Sequence, residues 1–331
     1  MSIKTMKMTS VAAAMLLASG AVQAIEVPGP LVSPEWLNEH RDEVVVLQTT
    51  ASADAFVMPP EYARDEKTGK TFVTRVSGHI PGAVFVDYKK DVRVKRDLDG
   101  RQLKGLVPLK EDWEAKVRKW GVDQNDAIVI VSDGLSSGDV TSATRTYWTF
   151  KYFGHDNMAI LDGGLARWLD EGYEATTDSR APDSGDWQAT AQRDELLATK
   201  ADVAAAAKAG DIQLIDGRSY DQHLGVAKSG SVDKAGHVPG SRPFPIELYT
   251  RADGASAKFF PESSYENLMA ANGIDVDSPA IAYCNTGNVA SAPWFIMHEL
   301  LGNKNVTLYD ASMHEYTKDD VEMVNAAQVF D

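Results

Sequence analysis

The strongest constraint on the fold is a pattern that occurs twice along the chain. The sequence Gly-His-Xaa-Pro-Gly stands at residues 78–82 and again at 236–240, an offset of 158 residues. Further along, Gly-Val-Asp at 121–123 is matched by Gly-Ile-Asp at 273–275, an offset of 152 residues. A slow drift in offset is what loop insertions produce between two copies of one fold. We therefore predict an internal duplication, with two domains of the same kind.

Short apolar runs alternate with longer helical segments in the first half. Val44–Leu47, Ala127–Val131 and Ala159–Leu161 have the length of buried strands, and Glu111–Trp120 and Ser142–Phe153 that of helices. The same order recurs in the second half. This alternation predicts an α/β fold class, with a mainly parallel sheet flanked by helices in each domain. In such sheets ligands bind at the carboxyl ends of the strands.

The amino-terminal residues have the features of an export signal. Lys4 and Lys7 form a basic start, Val11–Ser19 is a short apolar segment, and Val22–Ala24 supplies small residues for cleavage before Ile25. We therefore expect residues 1–24 to be a signal peptide. The mature protein is then expected to be soluble and periplasmic or secreted.

The rest of the chain is long enough for about two domains. We predict domains at 25–175 and 193–331, joined by a linker at 176–192 that is rich in Thr, Asp, Ser, Ala and Pro. The formal net charge is −15. An acidic surface argues against nucleic acid or an anionic membrane as a partner, although local positive potential could still gather a small anion.

Cys284 is the only cysteine in the chain, so no intrachain disulfide can include it. The residues before it, 280–283, are typical of a buried strand, and Ala290–Leu301 is typical of an apolar helix. A loop between strand and helix directs backbone N–H groups and the positive end of a helix dipole at the sulfur. A lone cysteine is often a buried, inert residue, but this position favours a reactive thiol.

Four segments carry a family resemblance. Gly78–Ala83, Leu214–Arg218, Gly236–Ser241 and Cys284–Ala290 together resemble the tandem-domain rhodanese-like sulfurtransferases, which use thiosulfate or 3-mercaptopyruvate. The resemblance implies two tandem rhodanese-like domains and transfer of a sulfane sulfur to cyanide or a thiol through a persulfide on Cys284. It implies no cofactor. A thiolate beside a helix amino terminus is the nucleophile that this chemistry needs.

The resemblance also suggests which residues bind the substrate. The loop after the nucleophile carries no charge, whereas thiosulfate-using members typically have cations there, so the choice of donor stays open. An arginine outside the loop could compensate, unless Arg218 instead pairs with Asp216 to fix its turn. The candidate substrate-binding residues are Asn285, Thr286, Gly287, Asn288, Val289, Ala290, Arg218 and Arg242.

The first half lacks the nucleophile. Ser132 stands where the second half has Cys284, so we expect the first domain to be non-catalytic and to brace the second. His79 in the first copy and His237 in the second occupy equivalent positions, including in the copy that has no cysteine. Both are therefore expected to be structural turn residues. A metal site has little support, because the histidines lack ligand spacing and there is one cysteine.

Three other functions are consistent with parts of the pattern. A cysteine phosphatase needs an arginine six residues after its nucleophile, where this chain has Ala290. A Cys–His hydrolase needs an imidazole beside the thiol; His298 lies roughly 20 Å along the helix, but His223 cannot be placed. The third is a non-catalytic carrier that holds sulfane sulfur or an anion and passes it to a partner.

Overall fold

The computed structural model describes residues 25–50 and 52–330. The predicted signal peptide, residues 1–24, lies outside them. Two α/β domains follow one another, each built on a five-stranded parallel sheet with helices on both sides. In the described part of the chain, no helix is long and apolar enough to cross a membrane.

The first domain has the sheet order β1-β9-β8-β2-β5 and two antiparallel hairpins, β3-β4 and β6-β7. Its strands are β1 Leu31–Val32, β2 Val44–Gln48, β3 Glu61–Arg64, β4 Thr71–Arg75, β5 Val84–Phe85, β6 Val94–Leu98, β7 Arg101–Leu106, β8 Ala127–Val131 and β9 Met158–Leu161. Its helices are α1 Pro34–His40, α2 Ala53–Phe56, α3 Lys110–Lys119, α4 Ser137–Tyr152 and α5 Gly164–Asp170, with a 3₁₀ turn at Arg41–Glu43 and a π turn at Tyr88–Val92.

The second domain has the sheet order β10-β16-β15-β11-β12 and one antiparallel hairpin, β13-β14. Its strands are β10 Leu197–Ala198, β11 Gln213–Asp216, β12 Arg242–Pro243, β13 Thr250–Asp253, β14 Ser256–Phe259, β15 Ala280–Tyr283 and β16 Val306–Tyr309. Its helices are α6 Lys200–Ala209, α7 Tyr220–Leu224, α8 Glu262–Ala271, α9 Ser291–Phe295 and α10 Ser312–Tyr316, with 3₁₀ turns at Asp194–Leu196 and Ile246–Leu248 and a π turn at Ile296–Leu300.

The two sheets confirm the predicted duplication. Their orders correspond strand for strand, with β8 of the first domain equivalent to β15 of the second. The repeated turn histidines also pair alike, since His79 bridges Thr176 and His237 bridges Val324 in antiparallel fashion. Every residue of β8 and of β15 is buried, as expected for central parallel strands covered on both faces.

Two predicted helices differ in their bounds. The helix predicted from Ser142 begins at Ser137, because the Ser136 side chain accepts a hydrogen bond from the Asp139 N–H and caps the amino terminus. The helix predicted at Ala290–Leu301 is present from Ser291 to Leu300, with the α-helical α9 continuing directly into the π turn.

The segment between the domains contains no helix or strand from 177 to 193 within the residues described. It nevertheless packs closely against the first domain. Trp187 is buried, and its backbone N–H donates to the carbonyl of Val122. At Gly185, a Cβ would lie 2.0 Å from the same carbonyl oxygen. The segment is therefore a strap fixed to the first domain, with little regular structure of its own.

The domains meet along α4 and α9. The ring centroids of Tyr147 and Phe295 lie 5.0 Å apart, and Thr144 Oγ1 lies 2.8 Å from Ser291 Oγ. Since α9 directly follows the loop of Cys284, this contact places the first domain against that loop.

Candidate active site

Cys284 follows β15 directly, at the carboxyl edge of the second sheet. Its side chain is buried, with 1% of the residue exposed. The backbone of Cys284 and of the next residue is fixed by two hydrogen bonds. The carbonyl of Cys284 accepts from the Met313 N–H at 3.1 Å, and that of Asn285 accepts from the His314 N–H at 2.8 Å. The start of α10 therefore holds the start of the cysteine loop.

The side chain of Ser312 connects two residues of the cysteine loop. Its Oγ accepts hydrogen bonds from the N–H groups of Cys284 at 3.0 Å and Gly287 at 3.1 Å, and donates to the carbonyl of Tyr309 at 2.7 Å. Ser312 adopts a left-handed backbone, with φ of 51°, which costs a residue other than glycine about 1–3 kcal/mol. The hydroxyl that ties the loop is thus held in place against backbone strain.

Gly287 is required by the same arrangement. Its φ is 71°, and a Cβ there would lie 2.2 Å from the carbonyl oxygen of Asp310 and 2.8 Å from a carboxylate oxygen of the same residue. Side chains at such distances do not fit without moving backbone. The turn of the loop therefore depends on glycine.

The loop leaves several backbone donors unused. Within the described residues, the N–H groups of Asn285, Thr286, Asn288, Val289 and Ala290 meet no protein acceptor. They belong to the turn that begins at the sulfur. Successive N–H groups in a tight turn form a concave anion-binding site. The loop can therefore stabilise negative charge on the sulfur or on a departing group.

The first domain supplies a buried cation to this loop. Arg145, in α4, is fully buried, and its Nη1 donates to the carbonyl of Gly287 at 3.0 Å. Its Nη2 lies 2.6 Å from Asp310 Oδ1, and Asp310 Oδ2 accepts from the Val107 N–H at 2.7 Å. This ion pair joins the two domains directly behind the loop.

A second cation, Arg93, holds the outer side of the loop. Its Nη2 donates to Thr286 Oγ1 at 2.6 Å and to the Thr286 carbonyl at 3.2 Å. Tyr88 donates through its hydroxyl to Asn288 Oδ1, and the Asn288 amide donates to Thr141 Oγ1 at 3.1 Å. Four side chains of the first domain, those of Tyr88, Arg93, Thr141 and Arg145, thus contact the loop.

Tyr88 keeps its proton at ordinary pH. Burial raises the pKa of Tyr88 to about 12, against the opposing charges of Arg93 and Arg145, and the nearby Cys284 sulfur adds to the rise. The phenol is therefore a hydrogen-bond donor beside the loop.

Arg218 pairs with Asp216, as one of the two sequence interpretations expected. Its Nε and Nη2 lie 2.9 and 2.7 Å from the two carboxylate oxygens, and Nη2 also donates to the carbonyl of Gly236 at 2.8 Å. Burial opposes the charge, but the carboxylate outweighs burial and raises the pKa of Arg218. The guanidinium carbon also lies 5.9 Å from the ring centroid of Tyr283, the residue before Cys284.

Arg242 is not brought to the loop. Its side chain is exposed, and its Nη1 lies 2.6 Å from where a Cβ of Gly273 would stand. Gly273 follows α8 and leads to the amino end of β15, whereas Cys284 lies at the carboxyl end. The backbone of Arg242 is in register with Ile215, and therefore with Ala282 near the carboxyl edge, but its side chain is directed toward Gly273 and away from the cysteine loop.

The other loop residues point in different directions. The Asn285 amide donates to Gln222 Oε1 at 2.9 Å, and its Oδ1 is buried without a partner among the described residues. Val289 packs against the core and Ala290 is fully buried. These two residues therefore offer backbone N–H groups rather than side chains.

A family model for the rhodanese-like domain matches residues 33–171 and 199–319, which together are most of the chain. The chain belongs to the rhodanese-like family. Both copies of the predicted duplication are therefore rhodanese-like domains, and the predicted α/β fold class is confirmed.

Similar rhodanese-like proteins are known from several organisms. The chain is 31% identical over 291 residues to a Haloferax volcanii protein named "Putative thiosulfate sulfurtransferase", covering 86% of this chain and 92% of that one. It is 25% identical to "Sulfur carrier protein TtuD" of Thermus thermophilus, covering 87% and 94%. The 3-mercaptopyruvate sulfurtransferase SseA of Escherichia coli has the same fold, with a TM-score of 0.68, 23% identity and coverage of 86% and 98%. The similarity to the Haloferax volcanii protein supports a sulfurtransferase activity, whereas the similarity to SseA shows the fold alone.

The histidines of this rhodanese-like protein have other partners. His223 Nδ1 lies 2.9 Å from Asp216 Oδ2, His298 Nδ1 lies 2.7 Å from Glu299 Oε1, and His314 Nδ1 lies 2.6 Å from the Ser231 carbonyl. In the described part of the chain, no imidazole forms a hydrogen bond with Cys284. The ring of His237 stacks on that of His223, with the ring centroids 3.7 Å apart, as expected for a structural turn residue.

Sequence reasoning missed the groups that come from the other domain. Arg145 had one usable signal: it is the only charged residue of α4 between Asp139 and Lys151, and an isolated charge in an uncharged helix indicates a buried ion pair. Arg93 and Tyr88 lie in a mixed polar stretch and had no comparable signal. Ser312 could be recognised only from its backbone conformation.

Proposed function

We propose that this protein transfers a sulfane sulfur from a small anionic donor, thiosulfate or 3-mercaptopyruvate, to cyanide or a thiol through a persulfide on Cys284. The observation that supports this most directly is the loop itself. The only cysteine of the chain begins a turn with five free backbone N–H groups. Arg145 of the first domain contacts that turn, and Arg218 of the second lies over the ring of Tyr283, the residue before Cys284.

The first half of the reaction is nucleophilic. The Cys284 thiolate attacks the outer sulfur of the donor, the bond from that sulfur to the rest of the donor breaks, and the departing sulfite or enolpyruvate takes the electron pair. The free N–H groups stabilise the charge on the persulfide and on the leaving group, as an oxyanion hole does. The charges of Arg145 and Arg218 favour the same anionic states.

The second half returns the enzyme to its starting state. Cyanide or a thiolate attacks the outer sulfur of the persulfide, the S–S bond breaks, and Cys284 leaves as the thiolate. The sulfur changes partners without any added oxidant or reductant. The chemistry thus requires no group beyond donor, acceptor and protein.

The test is a two-donor assay on the chain from Ile25 onward. Each donor is mixed with cyanide and thiocyanate is measured, while mass spectrometry follows the addition of one sulfur atom to Cys284. We expect thiocyanate and a transient mass gain with at least one donor. If neither donor loads Cys284 and no thiocyanate forms, the proposed function is wrong.

A carrier is the second candidate, favoured by the similarity to a protein named as a sulfur carrier. The buried position of Cys284 would also protect a long-lived persulfide. A carrier would show a stable mass gain on Cys284 with no thiocyanate from cyanide. The same assay therefore separates the two.

We also propose that the protein is exported and matures at Ile25, on the basis of the basic and apolar pattern of residues 1–24. Mass spectrometry of the native protein would show a chain beginning near Ile25. Retention of Met1 would exclude cleavage of the signal.

A further inference from the structure

A groove of about 450 Å³ lies beside the cysteine loop, between the first and second domains. Eight residues line it, among them Lys89, Arg93, Lys95, Lys104, Gly105 and Thr286. Pockets that bind small molecules have volumes on the order of 300–1,000 Å³. The groove is thus larger than thiosulfate needs, and four of its eight lining residues are cations.

These cations carry no matched negative charge. In the described residues, none of Lys89, Arg93, Lys95 and Lys104 forms an ion pair with a carboxylate. The chain as a whole has 48 acidic and 33 basic residues. The groove is consequently a local region of positive potential on an acidic protein.

Two of the lysines oppose one another across a hairpin. Lys95 of β6 and Lys104 of β7 are direct cross-strand partners, and like charges in that position destabilise a hairpin. Asp97, the next residue on the same face of β6, instead accepts from the Gly100 N–H at 2.9 Å. A bound anion would remove the repulsion between the two lysines.

The groove touches the cysteine loop through Thr286. A Cβ on Gly105, whose φ is 86°, would lie 2.9 Å from the Thr286 carbonyl oxygen and 2.7 Å from Arg93 Nη2. Gly105 therefore lets the hairpin approach the loop closely. Arg93 lies between them and donates to Thr286. A ligand in the groove would lie next to the loop that carries the persulfide.

We propose that this groove binds the sulfur acceptor, and that the acceptor is a small thiol bearing at least two carboxylates. The inference rests on the proposed sulfur transfer. The carboxylates lie between Lys95 and Lys104, and the thiol loses its proton to solvent and attacks the outer sulfur of the Cys284 persulfide. The S–S bond breaks, Cys284 departs as the thiolate, and the acceptor leaves as a persulfide.

The experiment isolates the second half-reaction. The protein is loaded with thiosulfate or 3-mercaptopyruvate, freed of donor and checked by mass for one added sulfur. Loss of that sulfur is then followed with mercaptosuccinate, a thiol with two carboxylates, and with monothioglycerol, which is neutral. Wild type is compared with the double variant Lys95→Gln/Lys104→Gln. The matched control is Lys67→Gln/Lys70→Gln, which removes two exposed charges from the β3-β4 turn.

We expect the Lys95/Lys104 variant to need about tenfold more mercaptosuccinate for half-maximal rate, in keeping with the size of charge-steering effects. Monothioglycerol should react equally with all three proteins, and the control variant should match wild type. Added salt should slow the mercaptosuccinate reaction of wild type and leave that of the variant nearly unchanged.

Three results would overturn the groove assignment: no change with mercaptosuccinate, an equal loss with both thiols, or an equal loss in the control variant. Failure of the proposed function would look different, because wild type would then take up no sulfur in the loading step.

Discussion

Arg145 of the first domain and Asp310 of the second form a buried ion pair, with Nη2 and Oδ1 2.6 Å apart. The same guanidinium donates to the Gly287 carbonyl, and the same carboxylate accepts from the Val107 N–H. The pair therefore links domain association to the shape of the cysteine loop. A domain that was expected only to brace its neighbour supplies a fully buried cation that contacts the turn of that loop.

Replacing Arg145 with Met should destabilise the protein and lower its turnover together. The change leaves Asp310 buried without its partner, and losing one member of a buried pair costs about 3–5 kcal/mol. Urea unfolding would measure the loss of stability. Arg145→Lys serves as the comparison, since it keeps the charge and loses the forked geometry. Full activity in Arg145→Met would show that the pair does not support the loop.

Cys284→Ser should abolish sulfur transfer and leave the fold intact. The exchange is nearly isosteric, and the loop is held by the Ser312 hydroxyl and by the backbone N–H groups of Met313 and His314 rather than by the sulfur. Thiocyanate formation and a thermal melt would be measured side by side. Retained turnover in a folded variant would exclude the persulfide mechanism.

Gly287→Ala should be far more damaging than Gly240→Ala. Both glycines have a positive φ, 71° and 77°, but a Cβ at Gly287 meets the Asp310 carbonyl at 2.2 Å whereas one at Gly240 has open space. The shared backbone strain is about 1–2 kcal/mol, and only Gly287 adds a steric clash next to Cys284. The free energy of unfolding and the rate of thiocyanate formation would be measured for both variants. Gly240→Ala reports the backbone strain alone, and the additional loss in Gly287→Ala reports the clash. Equal effects would mean that the loop tolerates the added methyl group.

Glu299 should make the protein sensitive to acid. Burial alone would raise the pKa of Glu299, but the hydrogen bond from His298 and the charges of Lys151 and Lys304 outweigh it and lower the pKa from 4.5 to about 2. The stabilising contribution is thus complete above pH 4.5 and is lost as the pH falls toward 2. Glu299 also accepts from the Tyr147 hydroxyl of the first domain at 3.0 Å.

The measurement is the free energy of unfolding of wild type and Glu299→Gln between pH 7 and pH 2. The variant should be less stable at pH 7, and the difference should shrink as the pH falls through that window. A constant difference across the whole range would contradict the assignment.

Asp133→Ala should change turnover little, because Asp133 belongs to the first-domain loop that has Ser132 in place of the cysteine. Steady-state kinetics with both donors would measure this, with Cys284→Ser as the inactive reference. A large loss would mean that the first-domain loop takes part in the chemistry.

The sequence predicted what depends on residues close together in the chain. The position of Cys284 at a strand end follows from the apolar run before it and the loop after it, and β8 was predicted to the residue. The duplication could be recognised because both copies need the same glycine and proline residues, at 78–82 and 236–240, to form the same turn. The family model confirms both domains.

Groups that meet only through domain packing were not predictable. Arg93 and Arg145 lie about 190 and 140 residues from the loop residues they contact, and no local pattern specifies which helix or hairpin of one domain will face the other. Arg242 shows the converse, because it follows a recognisable turn and yet its side chain is directed toward Gly273 and away from the cysteine loop.

The contacts that the β6-β7 region and α4 make with the second domain have a consequence for any attempt to separate the two domains. In this chain one copy holds the cysteine loop, and the other supplies the arginines that contact it. A shortened gene that encoded only residues 193–331 would produce a domain with Asp310 uncompensated and Thr286 without Arg93. The catalytic-type loop of the second domain is therefore completed by side chains of the first, and the second domain alone would lack them.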